Sequence, residues 1–238
     1  MKRLLLAALT AICTVSATYA ADIPLHIVPP ANGAIKVAFA LSEQAEVIDF
    51  GGPWEVFSNV MLPGFNDMQE SMPFELYTVG PSQKPIHTSG NRHAGMVITP
   101  DYDFLNAPEP DLIVVPAQQG GAALSAWLNK LHAHHKIIMS VCTGAFKLAQ
   151  AGLLDGKIAT THHTALDKLA SQFPKIKVVP NVRYVQSDPE IFTSGGLSAG
   201  IDLALHMVEV YYGRDVAQAT ADNMEYQGLG WKTTVTPN

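Results

Sequence analysis

Cysteine is scarce in this chain, with only Cys13 and Cys142 among 238 residues. That excludes a disulfide scaffold or a zinc ribbon, since each is built on several cysteines at fixed spacings. Charge is sparse as well: 15% of the residues are Asp, Glu, Lys or Arg, too few for a coiled coil. The basic sign is the rarer one, with 15 Lys and Arg against 21 Asp and Glu for a net charge of −6 and no basic run, so nucleic acid is not an expected partner. Glycine, 18 in all, follows no period of three, which excludes collagen. What the chain does have is apolar residues, 47% of the total, enough to build one substantial core and too many for a disordered chain.

The first twenty residues read as a targeting segment. Lys2 and Arg3 precede an apolar run over 4–15, and Thr18-Tyr19-Ala20 places small residues where a signal peptidase reads them. At roughly a dozen residues the run is short of the ~20 that a spanning helix needs. Ile12 before Cys13 makes a poor lipoprotein box. The expectation is cleavage after Ala20 and a periplasmic or secreted protein with no membrane attachment. Loss of Lys2 and Arg3 would take the net charge from −6 to −8 and leave Cys142 as the only thiol, without a disulfide partner. A lone cysteine in an oxidising compartment is either an inert core residue or a functional one.

Residues 21–32 form a polar, Pro-containing lead-in, residues 33–228 one domain, and residues 229–238 a C-terminal tail. Within the domain, short apolar runs at 35–41, 74–79, 112–115, 137–141 and 176–179 read as buried strands. Helical patterns at 53–60, 122–132, 143–151, 165–172 and 199–212 alternate with them. That alternation predicts an α/β, flavodoxin-like, doubly wound and mostly parallel sheet with helices on both faces. Ligands of such folds sit at the carboxyl ends of the strands.

Cys142 falls at that edge, between the apolar run ending at Val141 and the helical pattern opening at Thr143. The layout is that of a nucleophile elbow. Gly144 would let the turn fold tightly, and unpaired N–H groups at the helix start would favour a thiolate.

Three segments now carry a resemblance: Ser140-Val141-Cys142-Thr143-Gly144-Ala145-Phe146, then residues 151–162 ending in Thr160-Thr161-His162, then Thr193-Ser194-Gly195-Gly196-Leu197-Ser198-Ala199-Gly200-Ile201-Asp202. In this order they resemble the DJ-1/PfpI superfamily over roughly residues 35–226. Within it the chain is most similar to the branch of isonitrile hydratase and of the ligand-binding-like domains of AraC-type regulators.

The resemblance implies a set of site residues. Asp49, in Val47-Ile48-Asp49-Phe50-Gly51-Gly52-Pro53, falls where the superfamily places an acidic residue beside the cysteine. Such a carboxyl group would share or shuttle the thiol proton, and when ionised it would oppose a thiolate. Its other reading is a cap on a helix beginning at Pro53, or a bond to the loop glycines. Thr143 replaces the histidine that follows the cysteine in proteolytic relatives, and corresponds to an active-site threonine of isonitrile hydratase. It would orient water or offer its N–H, or else serve only as a helix-terminal residue. His162 would be a proton relay or substrate contact, or a structural loop bond.

One departure concerns the glycine pair that the superfamily usually carries after the strand ending in Val-Pro. Here the segment reads Val115-Pro116-Ala117-Gln118-Gln119-Gly120, so an oxyanion contribution from Ala117 or Gln118 is in doubt and the glutamines would line the pocket instead. Thr193, Ser194 and Gly195 are expected to form another wall. His132, His134 and His135 lack the carboxylate or cysteine set that a metal site needs, so no metal is expected there. His206 and Glu209 lack the spacing of an amidotransferase His-x-Glu pair.

The resemblance implies a cofactor-independent cysteine enzyme of isonitrile hydratase type, a lyase acting on a small molecule as a homodimer. Two other functions stay open: a non-catalytic ligand-binding or thiol redox-sensing module, and a glyoxalase- or deglycase-like activity on reactive carbonyls. The sequence closes at Asn238 with no helix-turn-helix after the domain, and with export this argues against direct contact with DNA.

Overall fold

A computed structural model describes residues 26–30, 33–90, 92 and 95–237. The expected signal segment, and the lead-in up to residue 25, lie outside the described residues.

The strands in chain order are β1 (Ile35–Ala40), β2 (Phe74–Gly80), β3 (Ile86–His87), β4 (Val97–Ile98), β5 (Tyr102–Asp103), β6 (Leu112–Val115), β7 (Ile137–Ser140), β8 (Ile158–Ala159), β9 (Lys177–Val178), β10 (Tyr184–Gln186) and β11 (Ile191–Ser194). The helices are α1 (Val47–Ser58), α2 (Met68–Ser71), α3 (Ala122–Ala133), α4 (Ala145–Gln150), α5 (Leu166–Gln172), α6 (Ala199–Tyr212) and α7 (Arg214–Asn223). Seven strands form the main sheet in the order β10-β11-β7-β6-β1-β2-β5. Every pairing in it is parallel except that of the edge strand β10 with β11.

Strands buried on both faces are rich in apolar residues, and β1, interrupted only by Lys36, shows how the faces divide. Ile35, Val37 and Phe39 enter one core with Val56 and Phe57 of α1, Leu203 and Met207 of α6, and Ala217 of α7. Ala38 and Ala40 enter the other, with Leu124 and Leu128 of α3, Phe146 of α4 and Leu169 of α5. Helices therefore cover both faces, as the alternating pattern predicts.

Two expectations are corrected, and two elements that the pattern did not mark are added. The apolar run at 176–179 is no strand of the main sheet: Lys177 and Val178 pair only with Ile158 and Ala159 in a small separate sheet. Its place beside β7 is taken by β11, whose Thr193 and Ser194 are polar yet fully buried, so that apolar counting passes over them. Helix α7 also escapes the pattern, because its buried side is made of the small residues Ala217, Thr220 and Ala221 rather than an apolar stripe. Finally, α1 begins at Val47, six residues before the expected start, with Pro53 inside it.

The C-terminal residues pack onto the domain. Trp231 is 1% exposed, Arg214 at 5.2 Å and Lys232 at 4.9 Å lie over its ring, and its carbonyl accepts a 2.8 Å hydrogen bond from the Tyr184 hydroxyl. Val235 continues the edge by bridging to Val185 of β10.

Candidate active site

The register fixes where Cys142 sits. Ser140, the last residue of β7, pairs with Val115 of β6 on one side and Thr193 of β11 on the other, so the chain leaves β7 between two other strand ends. Cys142 follows in a left-handed conformation, φ 58°, and opens a single 3₁₀ turn over Cys142–Gly144 before α4. A non-glycine residue at positive φ is held there by its surroundings. The Cys142 N–H donates to the Gly195 carbonyl at 3.0 Å, and its own carbonyl accepts from Thr161 Oγ1 at 2.8 Å. Gly144 is required for steric reasons, because a Cβ there would stand 2.1 Å from the Val115 carbonyl oxygen.

Asp49 arrives from the other direction, in the first turn of α1. It is completely buried, and its Oδ2 accepts the Ala117 N–H at 3.1 Å. Oδ1 has no hydrogen bond of standard geometry among the described residues, while the carboxyl group as a whole interacts with the Leu197 N–H and with the Cys142 thiol. It caps nothing at Pro53, since the helix already runs through that position. Burial raises its pKa to about 6; the nearby Glu46 carboxylate adds to the rise, and the Ala117 and Leu197 N–H groups oppose it.

The cysteine is held as a thiol. Burial first, and the Asp49 charge second, push it up to about 12, against the N–H groups of Thr143 and Leu197. This reverses the thiolate expected from the helix start: α4 has only six residues, and the N–H groups at the turn are outweighed by loss of water and by a neighbouring carboxylate. Near neutral pH the pair therefore consists of an S–H beside a mostly ionised carboxylate, an arrangement suited to moving the thiol proton as sulfur attacks.

The other sequence-derived candidates divide. Thr143 is half-buried beside the sulfur, contributes its N–H there, and has no hydroxyl hydrogen bond to a described residue. Ala117 gives its N–H to Asp49, so it is no oxyanion donor in this arrangement. Gln118 does not line a pocket with a free amide: Nε2 donates to the Ala40 carbonyl at 2.7 Å and Oε1 accepts from Ser42 Oγ at 2.7 Å, tying down the loop after β1. Thr193 accepts from the Thr160 N–H at 2.9 Å, and Ser194 donates to the Ser140 and Gly195 carbonyls. Both are structural supports behind the cysteine turn, and Gly195 is its direct partner.

His162 lies against the same loop, so close that a Cβ on Gly196 would meet its Cδ2 at 2.0 Å. Its Nδ1 is 3.3 Å from the Thr164 N–H, which donates to it, so neutral His162 carries its proton on Nε2. His132 and His135 pair with Glu190 and His134 with Glu109, and no cluster fit for a metal occurs among the described residues. His206 is engaged elsewhere: it stacks on Tyr184 at 4.9 Å and pairs with Glu209.

Sequence reading missed Leu197. Its backbone is left-handed, φ 56°, and its N–H serves both Asp49 and Cys142. No residue-type signal marks it, because leucine rarely takes that conformation. Arg183 and Asp202 were missed as well, although an aspartate in the first turn of the largely apolar α6 was a visible signal. Residues 195–199 border a cavity of about 300 Å³ whose other walls include His162, His163, Asn181 and Arg183.

Comparison with known proteins follows the same lines. The DJ-1/PfpI family model matches residues 35–210. The chain is 32% identical over 199 residues to isonitrile hydratase of Pseudomonas putida, a match covering 81% of this chain and 79% of that protein. It is 30% identical over 143 residues to the HTH-type transcriptional regulator GbdR of Pseudomonas aeruginosa, covering 57% of this chain and 38% of the regulator. Among solved structures, Drosophila melanogaster DJ-1beta superposes with a TM-score of 0.67 at 17% identity, covering 82% of this chain and 100% of that one, a likeness of fold alone.

Proposed function

The chain belongs to the DJ-1/PfpI family, and we propose that it is an exported, cofactor-independent cysteine enzyme that hydrates isonitriles to N-substituted formamides. The observation that carries this reading is the buried pairing of the Asp49 carboxyl with the Cys142 thiol, a proton donor and acceptor at the nucleophile itself.

The chemistry runs as follows. Sulfur adds to the terminal carbon of R–N≡C while its proton passes through Asp49 to that carbon, giving the thioimidate R–N=CH–S–Cys142. Water adds to the same carbon, its proton reaching nitrogen, and the C–S bond then breaks to release R–NH–CHO and restore the thiol. Asp49 acts as base in the first step and as proton carrier in the second. The Leu197 and Thr143 N–H groups favour negative charge on sulfur as it departs. The Thr143 hydroxyl, which has no hydrogen bond to a described residue, orients the water in this reading.

A redox sensor is less well supported, because peroxides react with thiolates and this cysteine is held protonated. Ligand binding without turnover remains the second reading, favoured by the kinship with regulators such as GbdR.

The test is formamide production from a panel of alkyl and aryl isonitriles, with Cys142→Ser and Asp49→Asn beside the parent protein. Turnover abolished in both variants supports the proposal; no turnover by the parent with its thiol reduced overturns it. Export with cleavage after Ala20 and homodimerisation are parts of the same proposal, read from the leader sequence and the family respectively. Secreted protein with an N-terminus other than Ala21, or a monomer in sedimentation, would overturn them separately.

A further inference from the structure

Arg183 touches the loop Gly195-Gly196-Leu197-Ser198 at both ends. Its own carbonyl accepts the Gly195 N–H at 2.9 Å, and its guanidinium NH2 donates to Ser198 Oγ at 3.1 Å. Its Nε donates to Asp202, which is 1% exposed in α6 and also accepts the Tyr226 hydroxyl at 3.0 Å. The C-terminal segment packs against this pair, in which Asp202 is buried and the Arg183 side chain is 42% exposed: a Cβ on Gly230 would stand 2.6 Å from Asp202 Oδ2 and 2.8 Å from Arg183 Cγ. A charged group this deeply buried is retained only with its partners in place, so Asp202 fixes the guanidinium. The loop so gripped holds Cys142 through the Gly195 carbonyl and carries Leu197 in a left-handed conformation that needs outside support.

We propose that Arg183 and Asp202 are positioning residues: they clamp both ends of the Gly195–Ser198 loop and thereby keep Cys142 covered and seated in its turn. Neither residue is among the groups that act on the sulfur. The clamp concerns where the thiol is held, whichever substrate it meets.

Releasing the clamp lets the loop open locally, without unfolding the sheet beneath it. Iodoacetamide alkylation of Cys142, followed by peptide mass analysis under native conditions, reads that opening. Arg183→Lys keeps the charge but replaces two directed N–H arms by one ammonium, and Asp202→Asn removes the anchor. Both are expected to alkylate about five- to thirtyfold faster than the parent, the factor that a small shift in an opening equilibrium produces. That gain should be independent of urea below the unfolding midpoint. Tyr77→Phe, which loses the 2.8 Å bond from its hydroxyl to the Pro108 carbonyl, is the destabilised control and should keep the parent rate.

Alkylation at the parent rate in folded clamp variants, or a gain that tracks global unfolding through its urea dependence, overturns the proposal. So does a parent cysteine that already reacts as fast as a free thiol peptide. An isonitrile panel without turnover leaves these rates unaffected, so failure of the hydratase reading and failure of the clamp are separable.

Discussion

The Asp49 carboxylate and the Ala117 N–H, 68 positions apart in the chain, are joined by a 3.1 Å hydrogen bond that ties the first turn of α1 to the strand end beside Cys142. The bond fixes the acid next to the nucleophile. It also takes up the donor that would otherwise face a developing oxyanion, which leaves the N–H groups of Thr143 and Leu197 as those directed at the sulfur.

Because Asp49 is raised from 3.8 to about 6 by folding, it makes stability depend on pH. The unfolded chain ionises near 3.8 while the folded chain resists until about 6, so the folded state loses ground as pH rises through that window and holds a constant deficit above it. A shift of this size corresponds to about 3 kcal/mol. Urea denaturation at about pH 4 and pH 7.5 should show that fall in the parent, whereas Asp49→Asn should lack it. Parallel stabilities in the two proteins would sink the assignment.

Gly144→Ala places a methyl group against the Val115 carbonyl at a distance that no backbone tolerates. The expected loss of stability is about 2–3 kcal/mol, with formamide production lost even in the folded fraction, since the turn carrying the sulfur must move. A variant of parental melting temperature and activity would contradict the geometry.

Hydration rate in Thr143→Val separates the two roles of that residue. Its N–H persists in the variant while its hydroxyl disappears, so sulfur chemistry should continue and water attack should slow. Rapid mixing is expected to show the thioimidate accumulating at Cys142, with kcat about 10²-fold lower, the scale of a lost proton-transfer or water-orienting group. Unchanged kcat would remove the hydroxyl from the mechanism.

Trp231→Ala tests the C-terminal segment as part of the fold. The ring is fully buried and two cations lie over it, so truncation should cost about 3–5 kcal/mol. Deleting residues 229–238 should do at least as much harm by removing the wall over Asp202. Thermal melting of both variants measures it, and a tail removable without loss would show the contact to be inert.

Much of this molecule was legible in residue order alone. The runs at 112–115 and 137–141 become strands because burial on both faces demands nearly unbroken apolar residues, and 35–41 and 74–79 keep that pattern apart from Lys36, Glu75 and Thr78, so the demand is visible one residue at a time. The place of the turn at Cys142-Thr143-Gly144 is equally legible, being marked by a strand, a small residue and a helix that follow one another directly, although its left-handed cysteine is held by Gly195 and Thr161. Family membership rests on the same kind of information, in motifs that keep their spacing. Tertiary structure alone decided the rest. Strand β11 is buried although Thr193 and Ser194 are polar, because their hydroxyls meet the Thr160 N–H and the Ser140 carbonyl, partners drawn from distant parts of the chain. The protonation of Cys142 was decided in the same way: the sequence shows an N–H-rich turn that favours a thiolate, but burial and the Asp49 charge are supplied only when α1 closes over the sheet. Hydrophobic pattern and turn chemistry are properties of neighbours in the chain, whereas desolvation and charge coupling are properties of neighbours in space.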